Sequence, residues 1–175
     1  SSSSAASDVY KRQVLRAVGY GEPTTPFRAV RDAEVTVHLL NPAYVEGFYT
    51  WAFRDTNSWN VWRRVEVAVP KPANTYRVFV FGGSTAYGFP HTSYSFWRML
   101  EVMLEAKYPE TRFEFHCVAF MALNSHVMRV MASACAELEP DLFLIYMGNN
   151  EANGPFAISN MSFRGPRVPP LWWIR

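Results

Sequence analysis

Two turns in this sequence could hold a reactive side chain out of a sheet. The first is Gly82-Gly83-Ser84-Thr85-Ala86-Tyr87-Gly88, directly after the apolar run Val78-Phe79-Val80-Phe81. An apolar run bounded by glycines reads as a buried strand of a parallel sheet. The paired glycines permit a sharp exit, so Ser84 falls at a strand-to-helix turn with its hydroxyl exposed. A hydroxyl so placed is either a nucleophile or a helix N-cap, the commoner use of serine before a helix, and the turn alone leaves both open. The second turn is Gly148-Asn149-Asn150-Glu151, after the apolar run Leu142-Phe143-Leu144-Ile145-Tyr146-Met147. Between them, Ala119 to Ser125 follows a third strand-like run. A serine, backbone amides at a turn and an asparagine carboxamide are the parts of an acyl-transfer site: a nucleophile, then donors aimed at a developing oxyanion.

The elements that must position these parts read as strand, helix, strand, helix, strand. From Tyr76 the apolar run forms the first strand. Phe96, Leu100, Met103, Leu104 and Lys107 recur at helical spacing, so Ser93 to Tyr108 reads as an amphipathic helix closed by Pro109. Arg112 to Phe120 is the second strand. Asn124 or Ser125 caps a helix running to about Leu138, with Val127, Val130, Met131, Ala134 and Leu138 on its inner face. Glu139-Pro140-Asp141 turns the chain into the third strand, Leu142 to Met147. Connections of this kind give a parallel sheet with helices on its faces, and ligands of such sheets bind beyond the carboxyl ends of the strands. All three turns fall at those ends, so they should converge.

Upstream the signals are weaker. Val35-Thr36-Val37-His38-Leu39-Leu40 reads as a short strand ended by Asn41-Pro42. Trp51 to Trp62 shows no clear period and reads as irregular. Val61 to Val69 alternates, with Val65, Val67 and Val69 on one side, as a half-exposed strand does. Pro70, Pro72 and Asn74 link this segment to the main body, which it should cover as an edge strand or hairpin. Its aromatics Tyr44, Phe48, Tyr49, Trp51 and Phe53 read as packing rather than a carbohydrate platform. The opening Ser1 to Gln13 resembles translated adapter sequence and reads as a non-native or disordered leader; 14–74 and 75–175 then follow as an N-terminal segment and a main body.

At 175 residues the chain fits one core. A 49% hydrophobic content with 13 Phe, 9 Tyr and 6 Trp argues for a folded body. A formal charge of +2, with both signs interspersed, offers no basic stripe for nucleic acid and no polybasic membrane patch. No run approaches the roughly 18 apolar residues of a membrane-spanning helix. Cys117 and Cys135 read as two buried thiols rather than a disulfide framework.

Gly83-Ser84 after a strand, a turn about 35 residues later, and Gly148-Asn149-Asn150-Glu151 together resemble the first three sequence blocks of the SGNH (GDSL-like) hydrolases. The strings Phe81-Gly82-Gly83-Ser84, Leu123-Asn124-Ser125-His126 and Tyr146-Met147-Gly148-Asn149-Asn150-Glu151 are closest to a bacterial subgroup often found beside tetratricopeptide repeats. The resemblance covers roughly residues 76–157. It implies a three-layer α/β/α sandwich with a parallel sheet, flavodoxin-like, incomplete at its C-terminus. It implies Ser84 as nucleophile and first oxyanion donor through its own amide, Asn150 as a side-chain donor, and Ala119 as the nearest match to the second-block backbone donor. Gly83 stands where many members carry aspartate. The activity implied is an ester hydrolase or O-acyltransferase working through an acyl-enzyme on a small-molecule or glycan-linked acyl ester, with no metal or organic cofactor required.

The departure is an absence. The family's fourth block, an Asp and a His three residues apart, supplies the base, and no Asp-x-x-His follows Glu151; the last histidine is His126. The apolar close, Pro169-Pro170-Leu171-Trp172-Trp173-Ile174-Arg175, fits a chain that stops before that block. Of the internal histidines, His91 reads as facing solvent, His126 as capping or exposed, His116 as part of a strand and His38 as too far upstream. A nucleotide-binding turn fits poorly, because the sequence matches neither G-x-G-x-x-G nor G-x-x-x-x-G-K-[ST]. A non-catalytic scaffold of the same fold is the other alternative.

Overall fold

The computed structural model describes residues 65–155 without a break, together with 25–32, 35–41 and Tyr10, Val14, Tyr44, Val45 and Phe48. The readings of the leader, of the stretch from Trp51 to Trp62, of Tyr49 and Phe53, and of the cluster from Pro169 onward lie outside the described residues.

Two three-stranded sheets organise the described residues. In the first, β1 (Phe27–Asp32), β2 (Val35–Leu40) and β3 (Glu66–Val69) run antiparallel in that order, with His38 opposite both Ala29 and Val67. β2 spans the six residues read as a short strand, and Val65 and Val67 turn inward as expected. β1 is a strand that the periodicity did not mark: Phe-Arg-Ala-Val-Arg-Asp carries charge on both faces, and its pairing with β2 decides its conformation.

The second sheet is parallel, with β4 (Thr75–Gly82) central between β5 (Arg112–Cys117) and β6 (Leu142–Tyr146). Side chains alternate across β4, and each face has its own core. Val78 and Val80, with Cys117 and Ala119, pack with Ala86, Tyr87 and Trp97. Phe79 and Phe81, with Val118 and Phe120, pack with Val127, Met128, Met131, Cys135 and Leu138, and with Leu40, Tyr44, Val45, Val65 and Val67 of the upstream segment. The protein is therefore a mixed α/β structure whose parallel sheet is flanked by helices. Tyr44 helps join the upstream segment to the main body: its hydroxyl donates to Val127 O at 3.3 Å, Phe48 meets its ring edge-on, and burial pushes its pKa up to about 12.

A four-residue helix, α1 (Ser84–Tyr87), follows β4; α2 (Phe96–Lys107) follows a 3₁₀ turn at Thr92–Tyr94; α3 (Ser125–Ala136) follows β5. Both long helices lie where the spacing puts them, but the buried stripe of α2 is rotated from the expected phase and that of α3 differs at its edge. In α2 the buried residue is Trp97, while Phe96 and Met103 are exposed. In α3 Val127 and Met131 are buried as expected, as is Leu138 just past its end; Met128 and Cys135 join them, while Val130 faces out. The 3.6-residue period specifies a stripe; the facing surface selects which one is buried.

Among the described residues Arg77 is a wholly internal cation. Arg77 on β4 donates from Nη1 to Leu138 O at 2.7 Å, from Nη2 to Ala68 O at 2.9 Å, and from Nε and Nη2 to Glu114 Oε2 at 3.1 and 3.0 Å. Its backbone N–H donates to Asp141 Oδ2 at 2.6 Å, and that oxygen also takes Lys71 Nζ at 2.6 Å. These bonds tie β3, β4, β5 and the turn before β6 together at the amino end of the sheet, leaving the carboxyl end for the three turns. Cys117 and Cys135 are both buried and unbridged, and burial pushes the Cys135 thiol well up. Among the described residues no helix is long and apolar enough to cross a membrane.

Candidate active site

The first turn is shaped by close approach. A Cβ on Gly82 would collide with the carbonyl oxygen of Tyr146 and with Ala86 Cβ, so only glycine lets β4 leave the sheet this close to β6. Gly83 then occupies the N-cap of α1 with extended backbone, φ −93° and ψ −156°, and Ser84 is the first helical residue. The choice left open by the sequence is thereby narrowed: the cap position belongs to Gly83, which has no side chain to cap with, and Ser84 is half-exposed beyond it. Gly88, at φ 90°, closes the helix, and its N–H donates to Ser84 O at 3.0 Å.

The third turn reaches over the first. A Cβ placed on Gly83 would lie 2.5 Å from Asn150 Nδ2. That amide donates one N–H to Leu123 O at 3.0 Å. A carboxamide carries two N–H donors, so one of them is not used by this bond. Asn150 is itself held in a tight turn, its carbonyl accepting from Gly154 N at 2.6 Å and Asn153 N at 3.2 Å. Gly154 is closely packed too: a Cβ there would lie 2.8 Å from Asn124 Cβ.

A small recess at this point is lined by Gly83, Ser84 and Thr85, by Leu123, and by Tyr146 to Asn150. All three turns thus contribute, as the parallel topology requires. Ser84 and Asn150 are brought together. Ala119 is not: it is buried against Val80, Tyr87 and Trp97 on the α2 side of the sheet. The reason is strand alternation. Val118 N donates to Val80 O and Phe120 N to Gly82 O, so those two residues carry their N–H groups toward β4 and Ala119, between them, does not. The chain instead turns toward the recess at Ala122, which holds φ 56°, and it is Leu123 that lines the recess. A left-handed backbone angle is the conformation glycine favours, and here an alanine holds it. The Met121-Ala122 turn could have been noticed from the spacing to Asn124-Ser125, but alanine gives no sign of a positive φ.

No histidine, carboxylate or cation lines the recess among the described residues. His91 is exposed in the loop before α2, its Nδ1 accepting from Ser93 N at 3.3 Å. His116 meets Phe79 ring to ring in the middle of the sheet, 5.2 Å between centres and tilted by 33°, with Nε2 3.6 Å from Glu114 Oε2, and it does not line the recess. Burial lowers its pKa, the Glu114 carboxylate works against that and Arg77 adds to it. His38 lies in β2. His126 lies on the first turn of α3 and borders a separate groove of about 570 Å³, floored by Phe81, Met128, Ala132, Ile145 and Met147.

No family model, curated protein or solved structure matches the chain.

Proposed function

We propose that the protein is a serine-dependent ester hydrolase or O-acyltransferase of the SGNH (GDSL-like) type, with the three-layer sandwich of that family, acting through an acyl-enzyme. The observation that supports this most directly is the Asn150 carboxamide beside the Gly83-Ser84 turn, with one N–H committed to Leu123 O and one left over. Ser84 Oγ attacks the ester carbonyl carbon, and the carbonyl oxygen becomes an oxyanion. The Ser84 amide and Asn150 Nδ2 donate to it. The third donor is assigned to the Ala122-Leu123 backbone in place of Ala119, which lies off the recess. Collapse of the tetrahedral intermediate expels the alcohol and leaves the acyl group on Ser84. Water or an acceptor hydroxyl then takes the acyl group, and the two reactions need the same residues. Small-molecule or glycan-linked acyl esters fit this chemistry.

The proton of Ser84 needs a base, and the family supplies one from an Asp-x-x-His block. None of the described histidines lines the recess, so the base is assigned to residues outside those described. A fluorophosphonate probe tests the reading: the full gene product should label at Ser84, and Ser84→Ala should not. A gene product that ignores the probe, or labels equally as Ser84→Ala, overturns the nucleophile assignment. The recess without a base is also what a non-catalytic SGNH-like scaffold would show, and failure to label is its expected outcome.

A further inference from the structure

The first N–H groups of a helix have no intrahelical acceptor and need one from elsewhere. At α3 the residue in the N-cap position, Asn124, does not provide it: its side chain makes no capping bond, and its Nδ2 donates instead to Pro155 O at 2.7 Å. The acceptor comes from the third turn. Glu151 Oε1 takes Ser125 N–H at 2.9 Å, and Glu151 Oε2 takes the Ser125 hydroxyl at 2.7 Å. Glu151 is the direct neighbour of Asn150, whose Nδ2 bonds Leu123 O two residues before Ser125. Adjacent residues of the third turn therefore grip alternate residues of the second, and Asn124 grips back at Pro155. The placement of the Asn150 carboxamide beside Gly83 is set from the start of α3.

We propose that Glu151 is a positioning residue: by bridging the backbone and hydroxyl of Ser125 it locks the third turn onto α3 and holds the Asn150 carboxamide at the Ser84 recess. This rests on the reading of Asn150 as an oxyanion donor. Glu151 and Ser125 are both exposed, so their bonds add little to global stability. Their effect is on where Asn150 stands, and a misplacement of about 1 Å at a reacting centre can cost on the order of 10²-fold.

The experiment is nitrogen–proton NMR on the 175-residue chain. In Glu151→Ala the Asn150 side-chain amide pair shifts, and its exchange with water rises about tenfold or more as the Leu123 bond loosens. Reporters at the amino end of the sheet, the Arg77 and Asp141 amides, stay in place. Glu151→Gln keeps an acceptor for Ser125 and returns the Asn150 pair most of the way. If only the Ser125 amide responds and the Asn150 pair does not move, Glu151 is a helix cap alone and the proposal fails. Should Glu151→Ala not fold, Ser125→Ala removes one of the two bonds and is read by the same Asn150 pair, with the same two outcomes. Fluorophosphonate labelling of the full gene product adds a second readout: about 10- to 100-fold slower in Glu151→Ala, recovered in Glu151→Gln. A wild type that does not label removes the nucleophile reading, while the Asn150 resonances still decide the role of Glu151.

Discussion

Asn150 Nδ2 occupies the space that a side chain at residue 83 would need, 2.5 Å from where its Cβ would be. The two positions are therefore linked, and they answer differently from the neighbouring pair. Gly83→Ala pushes against the end of one side chain, which can move, so stability should stay within about 1 kcal/mol of the parent while the Asn150 amide resonances shift. Gly82→Ala pushes against the Tyr146 backbone, which cannot move without breaking the sheet, and should cost about 1–3 kcal/mol or more in a denaturant titration. Equal losses in the two variants would contradict this geometry.

Replacing Asn150 should act on turnover rather than on folding. In an active full gene product, Asn150→Ala is expected to lower kcat by roughly 10²–10³ if its spare N–H meets the oxyanion. Ala119, buried under α2, should behave otherwise: Ala119→Gly opens a small gap against Val80 and Trp97 and lowers stability by about 1 kcal/mol, with kcat kept. A large kcat loss at 119 with stability intact would restore that residue to the site.

Arg77 should be the most costly polar side chain to remove. Truncation to alanine leaves Glu114 with the exposed Arg112, whose Nη2 lies 3.1 Å from Oε1, and takes the buried donor from the carbonyls of Leu138 and Ala68, and about 3–5 kcal/mol is expected from chemical denaturation. Pairing Arg77→Met with Glu114→Leu should recover only part of this, since both carbonyls remain without their donor.

Stability should fall with acid in two steps. Burial holds His116 below its ordinary value, so the unfolded chain takes up the proton first; the contribution is complete above about pH 6.5 and is lost as pH falls through the lower folded value. His116→Gln should flatten the stability curve there. Desolvation opposes the charge on Asp141, but the Arg77 N–H and Lys71 outweigh it and hold the carboxyl low. Its contribution is complete above about pH 3.9 and disappears as pH drops through the lower folded value, a second decline that Asp141→Asn should remove.

Local chemistry made the elements around the recess legible. Val78 to Phe81 has no polar residue to expose and no partner but a sheet, the glycines at 82 and 83 require a sharp exit, and Asn124-Ser125 marks the start of α3. The buried face of α2 was not legible, because Phe96 and Trp97 satisfy the same period and differ only in what stands opposite; in α3 Val127 and Met131 were legible, and the error was confined to its edge, where Met128 is buried and Val130 is exposed. β1 was missed for the same kind of reason: two arginines and an aspartate in six residues carry no alternation, and only the partner strand makes them extended.

For the site, the order of residues determined that a serine, a backbone turn and an asparagine would each follow a parallel strand, since strand ends and glycine turns are local properties. Which of them meet was decided in three dimensions. Strand alternation buried Ala119 and sent the chain on to Ala122 and Leu123, while the close approach of β4 to β6 at Gly82 brought Asn150 against Gly83. Those outcomes depend on residues about 25 to 70 positions apart, whose distances no local pattern encodes.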